Sequence, residues 1–280
     1  MITRRQFLQG MLGVTAVTAF TGIYTFRIEP YWVKIEYLLL PVRNLPAALV
    51  GKTLIQLSDL HIGSKANWHT IGKELQRIQQ LAPDFVVYTG DFVSYTSAAQ
   101  YDQLYEIIRH TPLGRLGTAA ILGNHDYGHG WSQSDVASKI GSILTDVNIT
   151  LLRNEVRSFG GLHIAGIDDY WGTNYAPEQV TAVLDPAHPT IVLCHNPDVV
   201  DLPVWHGYQG WILAGHTHGG QVKPPFLPPP VLPVQNKRYT AGVFDVGNGR
   251  FLYINRGLGN LMSVRFNVRP EITIFTLTAA

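Results

Sequence analysis

A chain of 280 residues that is 46% hydrophobic can bury one large core or two modest ones. Its 21 lysines and arginines stand against 20 aspartates and glutamates, which excludes the broad cationic field that grips long nucleic acid. One cysteine, Cys194, excludes an internal disulfide and a cysteine-rich zinc cluster, and it reads as a small buried residue on a strand.

The chain opens on Thr3-Arg4-Arg5-Gln6-Phe7-Leu8, followed by an uncharged stretch from Gly10 to Phe26 rich in Ala, Thr and Gly. This resembles a twin-arginine export signal, with an apolar run of about 17 residues, at the lower edge of what crosses a bilayer. No clean Ala-x-Ala cleavage site follows, so residues 1–28 are expected to serve as signal or membrane anchor. The expected location is inner-membrane associated, or the periplasm after twin-arginine export. Residues 29–51, rich in Pro and aromatics, read as a linker, and 52–280 as a single domain.

Within that domain the apolar periodicity predicts strands over Thr53–Ser58, Asp84–Thr89 and Thr118–Leu122. Helices are expected over Trp68–Leu81, Ala98–Arg109 and Ser132–Leu144. Such alternation implies parallel pairing with helices packed outside. From Ile149 the spacing shortens to strands at Glu155–Phe159 and Leu162–Ile167, a helix near Pro177–Leu184, and strands at Thr190–Leu193 and Gly210–Leu213. Three more are expected at Arg238–Val246, Arg250–Asn255 and Glu271–Leu277. The pattern fits one α/β domain with two stacked sheets, and no solenoid repeat is present.

Five clusters punctuate this pattern: Asp59-Leu60-His61, Gly90-Asp91, Gly123-Asn124-His125-Asp126, His195, and Gly215-His216-Thr217-His218. Each follows a short apolar strand, at the carboxyl edge where α/β sheets collect ligands. Asp59 and His61, two apart on a segment expected to be extended, would leave one face together, and His216 and His218 likewise. Gly90 permits a tight turn before Asp91, whose two oxygens are able to serve two cations. Each piece alone is common; their order is not. With no thiolate, the imidazole, carboxylate and amide donors suit manganese, iron or zinc and disfavour copper(I), manganese being the first choice.

That ordered set resembles the signature of the calcineurin-like metallophosphoesterase superfamily over roughly Lys52 to the C-terminus. The resemblance implies a four-layer αββα sandwich of two mixed β-sheets flanked by helices, around two divalent metal ions. It implies that Asp59, His61 and His218 hold one metal, Asn124, His195 and His216 the other, and that Asp91 bridges them. His125 would be the unliganded general acid, and Asp126 would orient its imidazole. The expected chemistry is hydroxide attack on phosphorus between paired cations. Purple acid phosphatases, another branch, carry Tyr where this chain has Ser94, so a ferric-tyrosinate centre is not expected.

Cys194-His195-Asn196-Pro197-Asp198, the run Gly215 to Gln221, Asn255 to Gly259 and Arg265 to Glu271 resemble the exported bacterial YaeI and YkuE type of this superfamily. Relatives of that branch cleave the pyrophosphate of UDP-2,3-diacylglucosamine in lipid A synthesis. A phosphodiester or pyrophosphate substrate, small molecule or lipid, at a membrane surface is therefore expected, with the chain a monomer and no long nucleic acid bound. A small-nucleotide phosphodiesterase, a general phosphatase and a non-catalytic binding module on the same fold are the alternatives. The module is disfavoured because His125 and all seven ligand positions are retained.

Outside the clusters, the proline-rich run Pro224–Pro233 reads as an extended loop that packs over the sheet edge rather than meeting lipid. Tyr127, His129 and Trp131 read as wall or lip of the cleft. Asp168 and Asp169 read as a turn, and Arg256, Arg265 and Arg269 as ion-pairing residues or phosphate clamps. Histidines 69, 110, 163, 188 and 206 read as surface or structural.

Overall fold

The computed structural model describes residues 3–63 and 68–280, without the side chains of Trp68 and His69. Helix α1 (Arg4–Ile23) starts where Thr3 and Gln6 cap one another reciprocally. None of its residues is buried, and the helical segment Arg4–Tyr31 is long and apolar enough to cross a membrane.

Strand β1 (Lys34–Val42) follows, then β2 (Thr53–Leu57), α2 (Trp68–Gln79), β3 (Phe85–Thr89), α3 (Ala99–Ile108), β4 (Gly117–Ile121), α4 (Ser134–Asp146) and β5 (Thr150–Leu151). The second half contributes β6 (Glu155–Phe159), β7 (Leu162–Ile167), α5 (Glu178–Thr181), β8 (Thr190–Cys194), β9 (Gly210–Ala214), β10 (Gly242–Gly247) and β11 (Arg250–Ile254). Strand β12 (Glu271–Ala279) ends the chain. Two six-stranded sheets result, ordered β1-β12-β2-β3-β4-β5 and β10-β11-β9-β8-β7-β6. Both are mixed: β2 through β5 run parallel while β12 meets β2 antiparallel, and β7, β8, β9 and β11 run parallel between antiparallel β6 and β10.

The continuous apolar runs follow from burial on both faces. Phe85 and Val87 of β3 pack with Ile191, Leu193 and Leu213 between the sheets. Their neighbours Val86 and Tyr88 turn the other way, against Leu75, Leu104 and Ile140 of the helices. On the far side, Val192, Ile212 and Ile254 pack under Val180, Val199 and Trp205. The order is helix, sheet, sheet, helix, the expected αββα sandwich.

Three expectations change. Residues 29–51 are not simply a linker, because Lys34–Val42 pairs parallel with β12 along its whole length. Its position at the sheet edge is what tolerates Pro41. The helix expected near 177–184 is a single turn, four residues long, opened by Pro177. The proline-rich loop covers only in part: Leu232 is buried, but Phe226, Leu227 and Val231 stand in solvent.

Candidate metal centre

The carboxyl ends of five strands converge. Strands β2, β3 and β4 of the first sheet deliver Asp59 and His61, Asp91, and Asn124 with His125; β8 and β9 of the second deliver His195, and His216 with His218. The pocket therefore straddles the seam between the sheets. All seven expected ligand residues are buried, and His125 is half-buried at the rim.

Local backbone geometry explains the convergence, and it differs from the extended one expected. Asp59, His61, Asp91, His216 and His218 have φ values of 52°, 48°, 55°, 71° and 50°. Left-handed backbone is unusual for residues with a Cβ and costs of order 1 kcal/mol or more at each. The side chains meet because the chain turns, not because an extended segment repeats every second residue. Gly90 makes one such turn at φ 91°, where a Cβ would lie 2.6 Å from the Gly123 nitrogen and 2.8 Å from His195 Nδ1.

The donor atoms form two groups. In one, His61 Nε2 lies 2.9 Å from His218 Nε2, and Asp59 Oδ1 lies 3.4 Å from His218 Nε2. In the other, His195 Nε2 lies 3.2 Å from both Asp91 Oδ2 and His216 Nδ1. Asp91 Oδ2 also lies 3.5 Å from His61 Nε2, so this carboxylate touches both groups. The Oδ1 of Asn124 is buried without a hydrogen-bond partner. An orphaned amide oxygen on the loop whose Gly123 packs against Asp91, taken with the clustered imidazole nitrogens and carboxylate oxygens, makes a donor set that suits a divalent cation.

Supports fix the rings from behind. His195 Nδ1 faces the Thr89 carbonyl at 2.7 Å, His216 Nε2 the Pro233 carbonyl at 2.8 Å, and His61 Nδ1 the Ser94 hydroxyl at 3.0 Å. The backbone N–H of His216 donates to Asp59 at 3.1 Å.

Electrostatics divide the imidazoles: burial keeps His61, His216 and His218 neutral, whereas at His195 burial is outweighed by the nearby Asp91, which raises the ring well above its ordinary value. Burial pushes His61 and His216 down to about 3 and Asp59 up to about 7. Burial also opposes charge on Asp91, yet His195 and His125 beside it hold its carboxyl well below the ordinary range.

Asp126 departs from its expected role. Its two oxygens accept the backbone N–H groups of Gly123 at 2.9 Å and Val93 at 3.1 Å, clamping the loops after β3 and β4 together rather than orienting the His125 ring. Tyr127 is no lip either, being fully buried, with its hydroxyl donating to Asp168 at 2.7 Å. Asp168 is more than a turn, since it also receives Arg153 Nε at 2.9 Å and Asn174 Nδ2 at 2.7 Å. Asp169 is buried with Oδ1 unpartnered and is pushed up to about 7 by burial.

The arginines are spent on structure. Arg265 is fully buried and donates to the carbonyls of Arg256, Gly257, Gly259 and Val268, while Arg256 pairs with Glu36 and Glu271. Arg269 lies 3.9 Å from the Trp32 ring centre. His163 and His188 stack on each other, apart from the centre. The rim contains one residue the sequence reading missed, Trp171. It stacks on Trp131 at 4.7 Å and meets His216 edge-on at 4.6 Å. Its only sequence signal is its place just beyond the Asp168–Asp169 strand end.

An αββα sandwich with these clusters at its strand ends defines a metallophosphoesterase, and residues 52–220 match the calcineurin-like phosphoesterase family, to which the chain belongs. Over its length it is similar to the metallophosphoesterase YkuE of Bacillus subtilis, at 32% identity covering 99% of this chain and 98% of that one. It is similar to the phosphodiesterase YaeI of Escherichia coli at 30%, covering 99% and 100%. A UDP-2,3-diacylglucosamine pyrophosphatase, LpxG of Chlamydia trachomatis, is 26% identical over 93% of this chain and 94% of its own. The chain is a metal-dependent phosphoric ester hydrolase with a divalent metal centre.

Proposed function

We propose that this hydrolase cleaves a phosphodiester or pyrophosphate bond in a membrane-associated substrate such as UDP-2,3-diacylglucosamine, and that manganese is its metal. The observation that carries the reading is Asp91, whose carboxylate lies within 3.5 Å of imidazole nitrogens from both donor groups. Asp59, His61 and His218 would hold one cation and Asn124, His195 and His216 the second, with Asp91 placed between the two donor groups. Such a pair supplies Lewis-acid activation of water and of the phosphoryl oxygens.

His125 sits at the rim with its ring 5.0 Å from that of His61 and in edge contact with Trp131. From there it donates a proton to the departing oxygen. Trp131 and Trp171 wall the approach and exclude water from one side. The similarity to LpxG supports a lipid-linked pyrophosphate, and the apolar segment Arg4–Tyr31 supports attachment at the inner membrane after twin-arginine export. The active form is a monomer.

The test is turnover of the manganese-loaded full chain on UDP-2,3-diacylglucosamine, bis-p-nitrophenyl phosphate and p-nitrophenyl phosphate. Preference for the lipid nucleotide is expected. Activity on the monoester alone would make it a general phosphatase.

A further inference from the structure

Two loops beside the metal centre carry apolar side chains that the fold leaves uncovered. Phe226, Leu227 and Val231 lie on the first, at 105%, 60% and 72% exposure, and Leu261 and Met262 on the second, at 42% and 67%. Bulky apolar groups gathered in this way mark a contact surface. Nothing in the chain's own packing asks for them, since Leu232 and Val234 already supply the buried contacts of the first loop.

The loops are joined to each other and to the base of α1. Val222 bridges Phe266, Lys223 N–H donates to the Phe266 carbonyl at 2.9 Å, and the Gln221 side chain donates to the Val264 carbonyl at 3.1 Å. Arg265 N–H donates to the Thr25 carbonyl at 3.1 Å. The Glu29 carboxylate accepts the N–H groups of Asn267 and Val268, and Tyr24 meets Phe266 edge-on. The apolar tips therefore hang from the same short stretch, 264–268, that grips the exit of α1.

That connection selects a lipid bilayer as the occupant. The 28 residues from Arg4 to Tyr31 would extend about 40 Å as helix, more than the roughly 30 Å of a hydrocarbon core. With this segment in the membrane, its carboxyl end lies at the headgroup level, and the loops hydrogen-bonded to it are held there too. Exposed Arg27 and Lys223 flank the tips and suit anionic headgroups. We propose that Phe226, Leu227, Val231, Leu261 and Met262 form a bilayer-inserting surface continuous with α1. This surface holds the metal centre against the headgroup layer, and Pro233, which supports His216, closes the same loop. The purpose of the surface rests on the proposed membrane-associated substrate, but its geometry does not.

Cys194, the only cysteine, is buried, so a nitroxide is readily directed to Phe226→Cys, Met262→Cys or the control Val183→Cys in the full chain. Val183 is 67% exposed and follows α5, which packs on β6 and β7 at the opposite edge of the second sheet. On reconstitution into phosphatidylethanolamine and phosphatidylglycerol vesicles, the labels at 226 and 262 should collide severalfold more often with oxygen and severalfold less with chromium oxalate. The label at 183 should change in neither. Labels at 226 and 262 that behave like the control would overturn the proposal.

The triple variant F226S/L227S/V231S gives a second reading. It should keep its turnover on bis-p-nitrophenyl phosphate and lose most of it on a phosphodiester lipid embedded in vesicles; equal turnover on both, relative to the parent, counts against the surface. Insertion of the labels without turnover on any phosphodiester would instead reject the proposed phosphodiester substrate while leaving the surface intact.

Discussion

The backbone N–H of His125 donates to Asp91 Oδ1 at 2.9 Å, while Asp91 Oδ2 lies 3.2 Å from His195 Nε2. The carboxylate placed between the two donor groups thus also sets the position of the rim histidine. Removing the His125 ring should leave this backbone bond intact. His125→Ala is expected to lose about two to four orders of magnitude in kcat while its metal content, measured by plasma mass spectrometry, stays at the parent value.

Asp91→Ala should behave differently, because it removes a donor from both groups together with the acceptor for the His125 N–H. Metal content and turnover are expected to fall together, with turnover down by roughly a thousandfold or more. A variant that binds its full complement of metal would contradict the placement of Asp91.

Chelation tests the orphaned oxygen of Asn124. The apo chain should unfold at lower temperature than the manganese-loaded chain, since a ligand at a hundredfold excess over its Kd adds about 2.7 kcal/mol. Asn124→Ala should shrink this metal-dependent rise in calorimetry while barely altering the apo melting temperature.

The two glycines Gly90 and Gly51 separate backbone strain from crowding. Both have positive φ, 91° and 81°, but a Cβ at Gly90 meets backbone atoms of Gly123 whereas one at Gly51 meets nothing within 4 Å. Gly51→Ala should cost about 1 kcal/mol and Gly90→Ala about 2–4 kcal/mol in denaturant unfolding.

Asp84 should make stability depend on acid. Burial opposes its charge, but the Thr53 N–H at 2.9 Å and Arg115 at 2.7 Å outweigh it and hold the carboxyl below its ordinary value. A depressed folded value means the contribution is present above the unfolded carboxyl range and is lost as pH falls through the folded one. Asp84→Asn should therefore be less stable than the parent by about 1–2 kcal/mol at neutral pH, discounted for the exposed Arg115 and Lys52. The difference should shrink as pH falls below the unfolded carboxyl range and vanish once pH lies below the depressed folded value.

The convergence of the site was legible because its candidate donors stand at the ends of short apolar strands, where Asp59, Asp91, Asn124, His195 and His216 were expected to meet. The manner of meeting was hidden. Positive φ at Asp59 and His61 leaves no mark in a two-residue spacing, and it takes folded neighbours such as Gly215 to admit it. Strand β1 was obscured by Pro41, a residue that only an edge position accommodates. Trp171 was invisible for another reason: its contacts with Trp131 and His216 span long stretches of sequence and exist only once the sheets have closed. For Asp126, adjacency to His125 suggested a partnership that the backbone N–H groups of Gly123 and Val93 claim instead.

Strand β12, the last of the chain, lies between β1 and β2, and β2 leads directly into Asp59 and His61. Within the first sheet, β1 is hydrogen-bonded to β12 alone, so β12 is the strand that ties this edge to the ligand-bearing β2. Loosening β12 therefore unseats β1 and strips β2 of one partner at once, so a disturbance far from the donors reaches them along the strand that carries Asp59.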